Sequence, residues 1–244
     1  MHRFFIAPDV LRHDHIALTD EILRHMAVLR LARGAEILLL DGLGNLCHCR
    51  IDHLDRKSGS AMVLSRCTQQ ETAFPVELMQ ALPKADKMEL VLQKGTELGI
   101  TGFTPLQTSR SVPRLKPERE TQRHQRWLRI IREAARQCRR PLLPSLAAIR
   151  PLDEALGQCR SELRLMLWEE GSQPLDAVLP ERIPAGAAVL IGPEGGFSRE
   201  EAETARQHGF VPVLFGPRIL RSETAGFAAA TILQYRYGDL AGRV

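Results

Sequence analysis

Two stretches decide the fold: Ala188-Val189-Leu190-Ile191-Gly192-Pro193-Glu194-Gly195-Gly196-Phe197-Ser198, and Val211-Pro212-Val213-Leu214-Phe215-Gly216-Pro217-Arg218-Ile219-Leu220-Arg221-Ser222-Glu223-Thr224-Ala225. Each is a short apolar run, then a turn bearing glycine and proline, then the start of a helical pattern. An apolar run without alternation suits a strand covered on both faces. Ser198 with Glu201 three residues on predicts a capping box at the start of a helix over residues 198–208. Ser222 reads as the N-cap of a last helix, over residues 222–235. Strand feeding helix, twice in succession, points to an α/β domain with a mostly parallel sheet. Ligands in such sheets sit at the carboxyl ends of strands, and both glycine turns lie there.

The same alternation reaches back to residue 74. Strands are predicted over 76–82, 102–106 and 163–168, and helices over 84–98, stopped by Gly99, and 118–138, closed by Pro141 and Pro144. The polar stretch Thr68-Gln69-Gln70-Glu71-Thr72-Ala73 reads as a linker. Ahead of it, apolar runs at 36–40, 46–54 and 60–65 flank an Asp41-Gly42 hairpin signal, with one helix between Asp20 and Leu31. The expected organisation is a small, mostly β domain over 1–70 and an α/β domain over 74–244.

With 44% hydrophobic and 25% charged residues in 244, the chain has enough apolar material for a real core, which excludes a disordered class. No apolar run approaches the ~20 residues of a membrane span. Pro8 and Asp9 interrupt the N-terminus before a signal-type core could form, so a soluble cytoplasmic protein is expected. Five cysteines without a CxxC pair fit reduced thiols and neither a disulfide framework nor a zinc knuckle. Cys47-His48-Cys49 would alternate faces on a strand, so no metal site is expected there. Gly42-Leu43-Gly44 is no dinucleotide loop, since Cys47 stands in place of the third glycine, and neither later turn ends in the Gly-Lys-Ser/Thr of a P-loop.

The formal net charge of +4 hides an asymmetry: Arg110 to Arg150 holds twelve basic and three acidic residues, +9, which leaves −5 for the remainder. Such a concentration fits a polyanion or a solvated helix face, and charge alone leaves both open. On the long helix, Trp127, Ile130, Ile131, Ala134 and Cys138 share an apolar face, while Arg126, Arg129, Arg132, Arg136, Arg139 and Arg140 spread opposite. Only Glu133 is spaced to neutralise the row within the helix. Arginine's planar fork suits phosphate, which favours a nucleic-acid partner. The glycine turns also carry charge that bare turns do not need: Glu194 among glycines, and Arg221 and Glu223 at a helix start.

Together these motifs resemble the 16S ribosomal RNA uracil-N3 methyltransferases, of the SPOUT (α/β-knot) class. The resemblance rests on Gly192-Pro193-Glu194-Gly195-Gly196-Phe197-Ser198 and on Gly216-Pro217-Arg218-Ile219-Leu220-Arg221-Ser222-Glu223-Thr224-Ala225. Lys94-Gly95-Thr96-Glu97-Leu98-Gly99 with Pro105, Arg126-Trp127, Glu133 to Pro141, Arg3-Phe4-Phe5 and Val28-Leu29-Arg30 extend it over essentially the whole chain. Departures are Ser109, where the family often has Glu before Arg110, Gly95 for a usual Ala, and Phe215 for a usual Leu.

The resemblance implies an N-terminal PUA-like RNA-binding β-barrel, a C-terminal trefoil-knot domain, a homodimer, and S-adenosylmethionine as donor. Its implied substrate is a uridine of the 16S rRNA decoding region, within the small ribosomal subunit. The donor would lie against Leu167 and Trp168, Gly192, Pro193, Gly195 and Gly196, and Leu214, Gly216, Ile219, Leu220, Thr224 and Ala225. Uracil N3 must lose its proton to attack a methyl group, so Arg221 is expected to stabilise the developing charge, with Glu194 or Glu223 as base or donor anchor. Arg3, Arg30, Arg110, Arg126, Arg136, Arg139 and Arg140 are expected on RNA phosphates. Two other readings stay open: a related enzyme acting on a ribose 2′-OH or a tRNA base, and a non-catalytic rRNA-binding assembly factor. An NTP-using enzyme ranks below both.

Overall fold

A computed structural model describes residues 1–71, 73–111, 117–170 and 172–242. Thr72 of the expected linker, Arg114 and Lys116 of the basic segment, and the last two residues of the expected second domain lie outside these. The chain divides into two compact units, Met1–Glu71 with Ala135–Leu143, and Thr72–Ala134 with Pro144–Val244.

In the first unit, β1 (His2–Phe5), β2 (His15–Ala17), β3 (Glu36–Leu40), β4 (Asn45–Leu54) and β5 (Gly59–Thr68) form one sheet in the order β1-β3-β4-β5-β2. Helix α1 (Asp20–Val28) starts at Thr19, whose side chain accepts from the Ile22 amide, and turns Ile22, Leu23 and Met26 into the core. Alternation along β4 buries Leu46, Cys47, Cys49 and Ile51, while His48 and Arg50 face Glu36 across the β3–β4 pair. The β3–β4 turn is built by Asp41, whose Oδ1 accepts from the Leu43 and Asn45 amides at 2.7 and 3.0 Å. Residues 135–143 join this unit through the same turn: Leu143 N donates to Gly42 O at 2.9 Å, and Leu43 bridges to Leu142.

The second unit is built on one sheet in which every pairing is parallel. Its strands are β6 (Val76–Ala81), β7 (Gly102–Gln107), β8 (Ser145–Leu146), β9 (Arg150–Pro151), β10 (Leu163–Leu167), β11 (Gln173–Pro174), β12 (Ala187–Ile191) and β13 (Val211–Leu214). The order is β11-β13-β10-β12-β6-β7-β8, with β9 also on β7. Every residue of central β12 is buried, as a strand with helices on both faces requires. The connecting helices are α2 (Lys87–Glu97), α3 (Pro117–Gln137), α4 (Leu152–Gln158), α5 (Leu175–Val178), α6 (Arg199–Gln207) and α7 (Ser222–Tyr237). Helix α2 ends where Gly99 turns to φ +83°, and Gly95 within it lets Phe103 approach so closely that a Cβ would sit 2.7 Å from the ring.

The α3 apolar face forms as read for Trp127, Ile131 and Ala134, all buried, whereas Ile130 and Cys138 are half-buried. Among the described residues no helix is long and apolar enough to cross a membrane, and no group of His, Cys, Asp and Glu could hold a metal ion.

Candidate functional site

Because β13, β10, β12, β6 and β7 are parallel neighbours, the segments leaving their carboxyl ends come to one edge of the sheet. These are the start of the 215–221 connection, Trp168, the Gly192–Gly196 loop, the Leu82–Asp86 turn and the Thr108–Ser111 loop. The expected donor residues and the two carboxylates therefore gather at a single edge.

The glycine loop is held from several directions. Gly196, at φ +67°, closes a turn by donating to Pro193 O at 2.9 Å. Arg110 Nη1 donates to Gly195 O at 2.7 Å and Phe197 O at 3.3 Å, and its stem lies against the Gly195 Cα. The capping box forms as read, with Glu201 Oε2 accepting from Ser198 N at 2.9 Å. Glu201 Oε1 also accepts from Ser109 N at 2.7 Å, so one carboxylate ties two loops together.

Glu194 turns across to the β6–α2 connection. Its Oε1 accepts from Lys84 N at 3.0 Å and Lys87 Nζ at 3.1 Å, and its Oε2 lies 3.3 Å from Lys84 N. Burial pushes its carboxyl up, but the main-chain donors and Lys87 outweigh it and hold the group below the usual glutamate range. The receiving turn is strained: Ala85, without glycine's freedom, sits at φ +54°.

Lys87 also approaches Glu223, Nζ to Oε2 at 3.4 Å. Glu223 is 8% exposed, and its Oε2 is sealed from solvent without a hydrogen bond. The other buried side-chain atom without a partner, among the described residues, is Gln80 Oε1.

Gln80 Nε2 donates to Ser222 Oγ at 2.8 Å and Ala81 O at 3.0 Å, and Ser222 Oγ donates to Gly192 O at 2.6 Å. The N-cap of α7 is thus Arg221, which makes no side-chain cap bond, and not Ser222. Ser222 is the first helical residue, and its hydroxyl serves the glycine loop. Arg221 is exposed, and its guanidinium makes no hydrogen bond with a described residue.

The 216–220 connection contrasts with the glycine loop. Its main-chain groups make no hydrogen bond with described residues, Gly216 sits at φ +69°, and Ile219 and Leu214 are 81% and 40% exposed. Thr224 is exposed and Ala225 buried in the first turns of α7; Leu167 is half-buried at the end of β10. Trp168 carries the Arg206 guanidinium 5.3 Å above its ring.

The arginines do not form one free row. Arg140 is a correction: its Nε and Nη2 pair with both oxygens of Glu71 at 2.7 Å, and it is 8% exposed, so it is not available to phosphate. Arg126, though exposed, pairs with both oxygens of Glu89 on α2, so the helix is not limited to Glu133 for neutralisation. Arg136 contacts the His25 ring, and Arg3 Nη1 donates to Arg139 O at 2.7 Å. Arg30, Arg129 and Arg139 are exposed, the first and last at φ +53° and +66°.

Gln80, Lys84, Lys87 and the bridging role of Ser222 went unread in the sequence. One signal was present: a glutamine inside an apolar strand, followed by two lysines just past its carboxyl end.

Residues 70–234 match the family described as RNA methyltransferase domain, and 18–61 that described as RNA methyltransferase PUA domain. The chain belongs to this RNA methyltransferase family. Ribosomal RNA small subunit methyltransferase E of Bacillus subtilis is 30% identical, covering 99% of both chains. That of Synechocystis is 36% identical over 92% of this chain and 74% of its own. The crystal structure of a ribosomal RNA small subunit methyltransferase E from Neisseria gonorrhoeae, bound to S-adenosylmethionine, superposes with a TM-score of 0.90. It is 33% identical and covers 98% of this chain and 99% of its own. The enzyme is therefore a methyltransferase built from a PUA unit and a parallel α/β unit.

Proposed function

We infer that this methyltransferase uses S-adenosylmethionine to methylate N3 of a uridine in the decoding region of 16S rRNA, within the small subunit. The reading includes a PUA-like barrel for the first unit, a trefoil knot in the second, and a homodimer. It is supported by the relatives, by the motif pair at Gly192 and Gly216, and by one observation above all. The main chain of Gly216–Leu220 makes no hydrogen bond with described residues and lies beside exposed Leu214 and Ile219, while a fixed glycine loop stands at the same sheet edge.

That set fits an adenosine-bearing donor. A purine needs main-chain donors and acceptors at its edge and apolar contact on its faces, and both are present without a committed partner. Gly216–Leu220, Gly192–Gly196 and Leu167–Trp168 would hold it. When bound, the donor supplies an electrophilic methyl group whose carbon–sulfur electron pair stays with sulfur.

The chain supplies alignment and charge. Arg221, exposed and uncommitted, would face the charge that spreads onto O2 and O4 as N3 loses its proton. N3 lies on the Watson–Crick edge, so the base must be unpaired or flipped out to reach the site. Exposed Arg30, Arg129 and Arg139 remain for backbone phosphates.

The test is methyl transfer from labelled donor to small subunits of cells lacking the enzyme, followed by nucleoside mass spectrometry. The expected product is 3-methyluridine in a single 16S fragment. A 2′-O-methyl nucleoside would replace the base by ribose, and absent donor uptake in calorimetry would end the reading. Arg221→Ala should lower kcat by about 100-fold or more with donor Kd within threefold; unchanged turnover removes it from the mechanism.

A further inference from the structure

The two carboxylates at the sheet edge share one cation but differ in what they have left to offer. Glu194 is spent: both oxygens lie on the Lys84 amide, and Lys87 holds one of them. Glu223 Oε2 has no well-formed hydrogen bond with a described residue, although the side chain is only 11% exposed. A carboxylate taken that far out of water without a donor is costly, and the 3.4 Å approach of Lys87 offsets only part of it. Such a cost persists where function requires it.

Among the described residues, helix α2 brings Lys87 against Glu223 and the glycine loop brings Glu194 to that lysine, while Gln80 and the Gly192 carbonyl meet the hydroxyl of the adjoining Ser222. Lys87 sets a positive charge 3.4 Å from Glu223 Oε2.

We propose that Glu223 receives the N3 proton of the acceptor uracil, with Lys87 as its counter-ion, and that Glu194 is a positioning residue that holds the glycine loop. This rests on the imide substrate inferred above. The oxygen–hydrogen bond at Glu223 forms as the N3–hydrogen bond breaks. The electron pair left on N3 then bonds the methyl carbon, and the proton later leaves through the solvent-facing edge of the carboxylate.

The experiment measures single-turnover methyl transfer against pH on undermethylated small subunits, with donor Kd by calorimetry, for the full-length wild type, Glu223→Gln, Glu223→Asp, Glu194→Gln and Lys87→Met. Glu223→Gln should slow transfer about 100-fold or more, leave donor Kd within threefold and abolish the acid limb of the profile. Glu223→Asp should recover part of the rate with the limb intact, which covers a glutamine variant that fails to fold. Lys87→Met should slow transfer, since the counter-ion beside the carboxylate is gone. Glu194→Gln should weaken donor binding and keep the limb.

A Glu223→Gln rate within threefold of wild type overturns the proposal, as does a loss explained wholly by donor Kd, or an acid limb that vanishes with Glu194 instead. A wild type that methylates ribose or no uridine imide overturns the substrate reading and this proposal with it. Normal 3-methyluridine formation by Glu223→Gln overturns this proposal alone.

Discussion

Ser222→Ala removes one hydroxyl and breaks two buried hydrogen bonds, those to Gly192 O and from Gln80 Nε2. Gln80 Nε2 keeps Ala81 O, so its loss is an ordinary one of about 1 kcal/mol. Gly192 O, buried and with no other hydrogen bond to a described residue, is left unsatisfied at about 2 kcal/mol. The sum is about 3 kcal/mol, which at roughly 2–4 °C per kcal/mol lowers the Tm of the α/β unit by about 6–12 °C. Scanning calorimetry of the full chain measures it. Thr204→Ala, which removes the exposed hydroxyl bond to Glu200 O within α6, is the control and should stay within about 0.5 kcal/mol. Donor affinity should fall as well, because the glycine loop loses its link to α7. A Ser222→Ala shift no larger than the control's would refute the claim that this hydroxyl couples loop to helix.

Gly95→Ala inverts the usual helix rule: propensity favours alanine by about 1 kcal/mol, but the new Cβ meets the Phe103 ring at 2.7 Å and Ile100 at 2.8 Å. Urea unfolding should show a net loss, and a gain would mean that the ring has room to move. Arg140→Ala should destabilise the first unit by about 3–5 kcal/mol, whereas Arg140→Met with Glu71→Leu restores most of it. The salt slope of RNA binding by the folded double variant should match wild type; a slope lower by about one contact would return Arg140 to the phosphates. Burial holds the Cys49 thiol at about 12, so at about pH 9 an alkylating reagent should label exposed Cys67 and spare Cys49 until the chain unfolds, as peptide mapping would show.

What the sequence made legible follows from what is periodic. Strand β12 runs over the residues its apolar stretch marked, and the capping box at Ser198 is a local device readable from four residues. Strands β8, β9 and β11 have two residues each, too few for any period, and α5 has four. The N-cap of α7 was placed one residue late because Ser222 has the right chemistry for a cap, but its hydroxyl is drawn to Gly192 from a distant strand. Three of the arginines are engaged in the same way. A helical wheel offers the row Glu133 alone, but Glu89, His25 and Glu71 reach Arg126, Arg136 and Arg140 from elsewhere in the chain.

The two glycine-bearing connections, alike in sequence, differ in how they are held, and the difference is itself measurable. The Gly192–Gly196 loop is tied through Glu194, Arg110 and Ser222, so its shape exists before any ligand arrives. The main chain of Gly216–Leu220 makes no hydrogen bond with described residues, and of its side chains Leu220 packs against the core. A fixed wall opposite an unpaired main chain divides labour: the wall sets position without an ordering cost on binding, while the other segment closes on the donor and bears that cost. Hydrogen exchange with and without S-adenosylmethionine should therefore slow the amides of Gly216, Arg218, Ile219 and Leu220 by tenfold or more. The Gly196 amide, already donating to Pro193 O, should change little. Equal protection at both connections before donor is added would mean that the 216–220 segment is held by contacts of its own, and the proposed division of roles would fail.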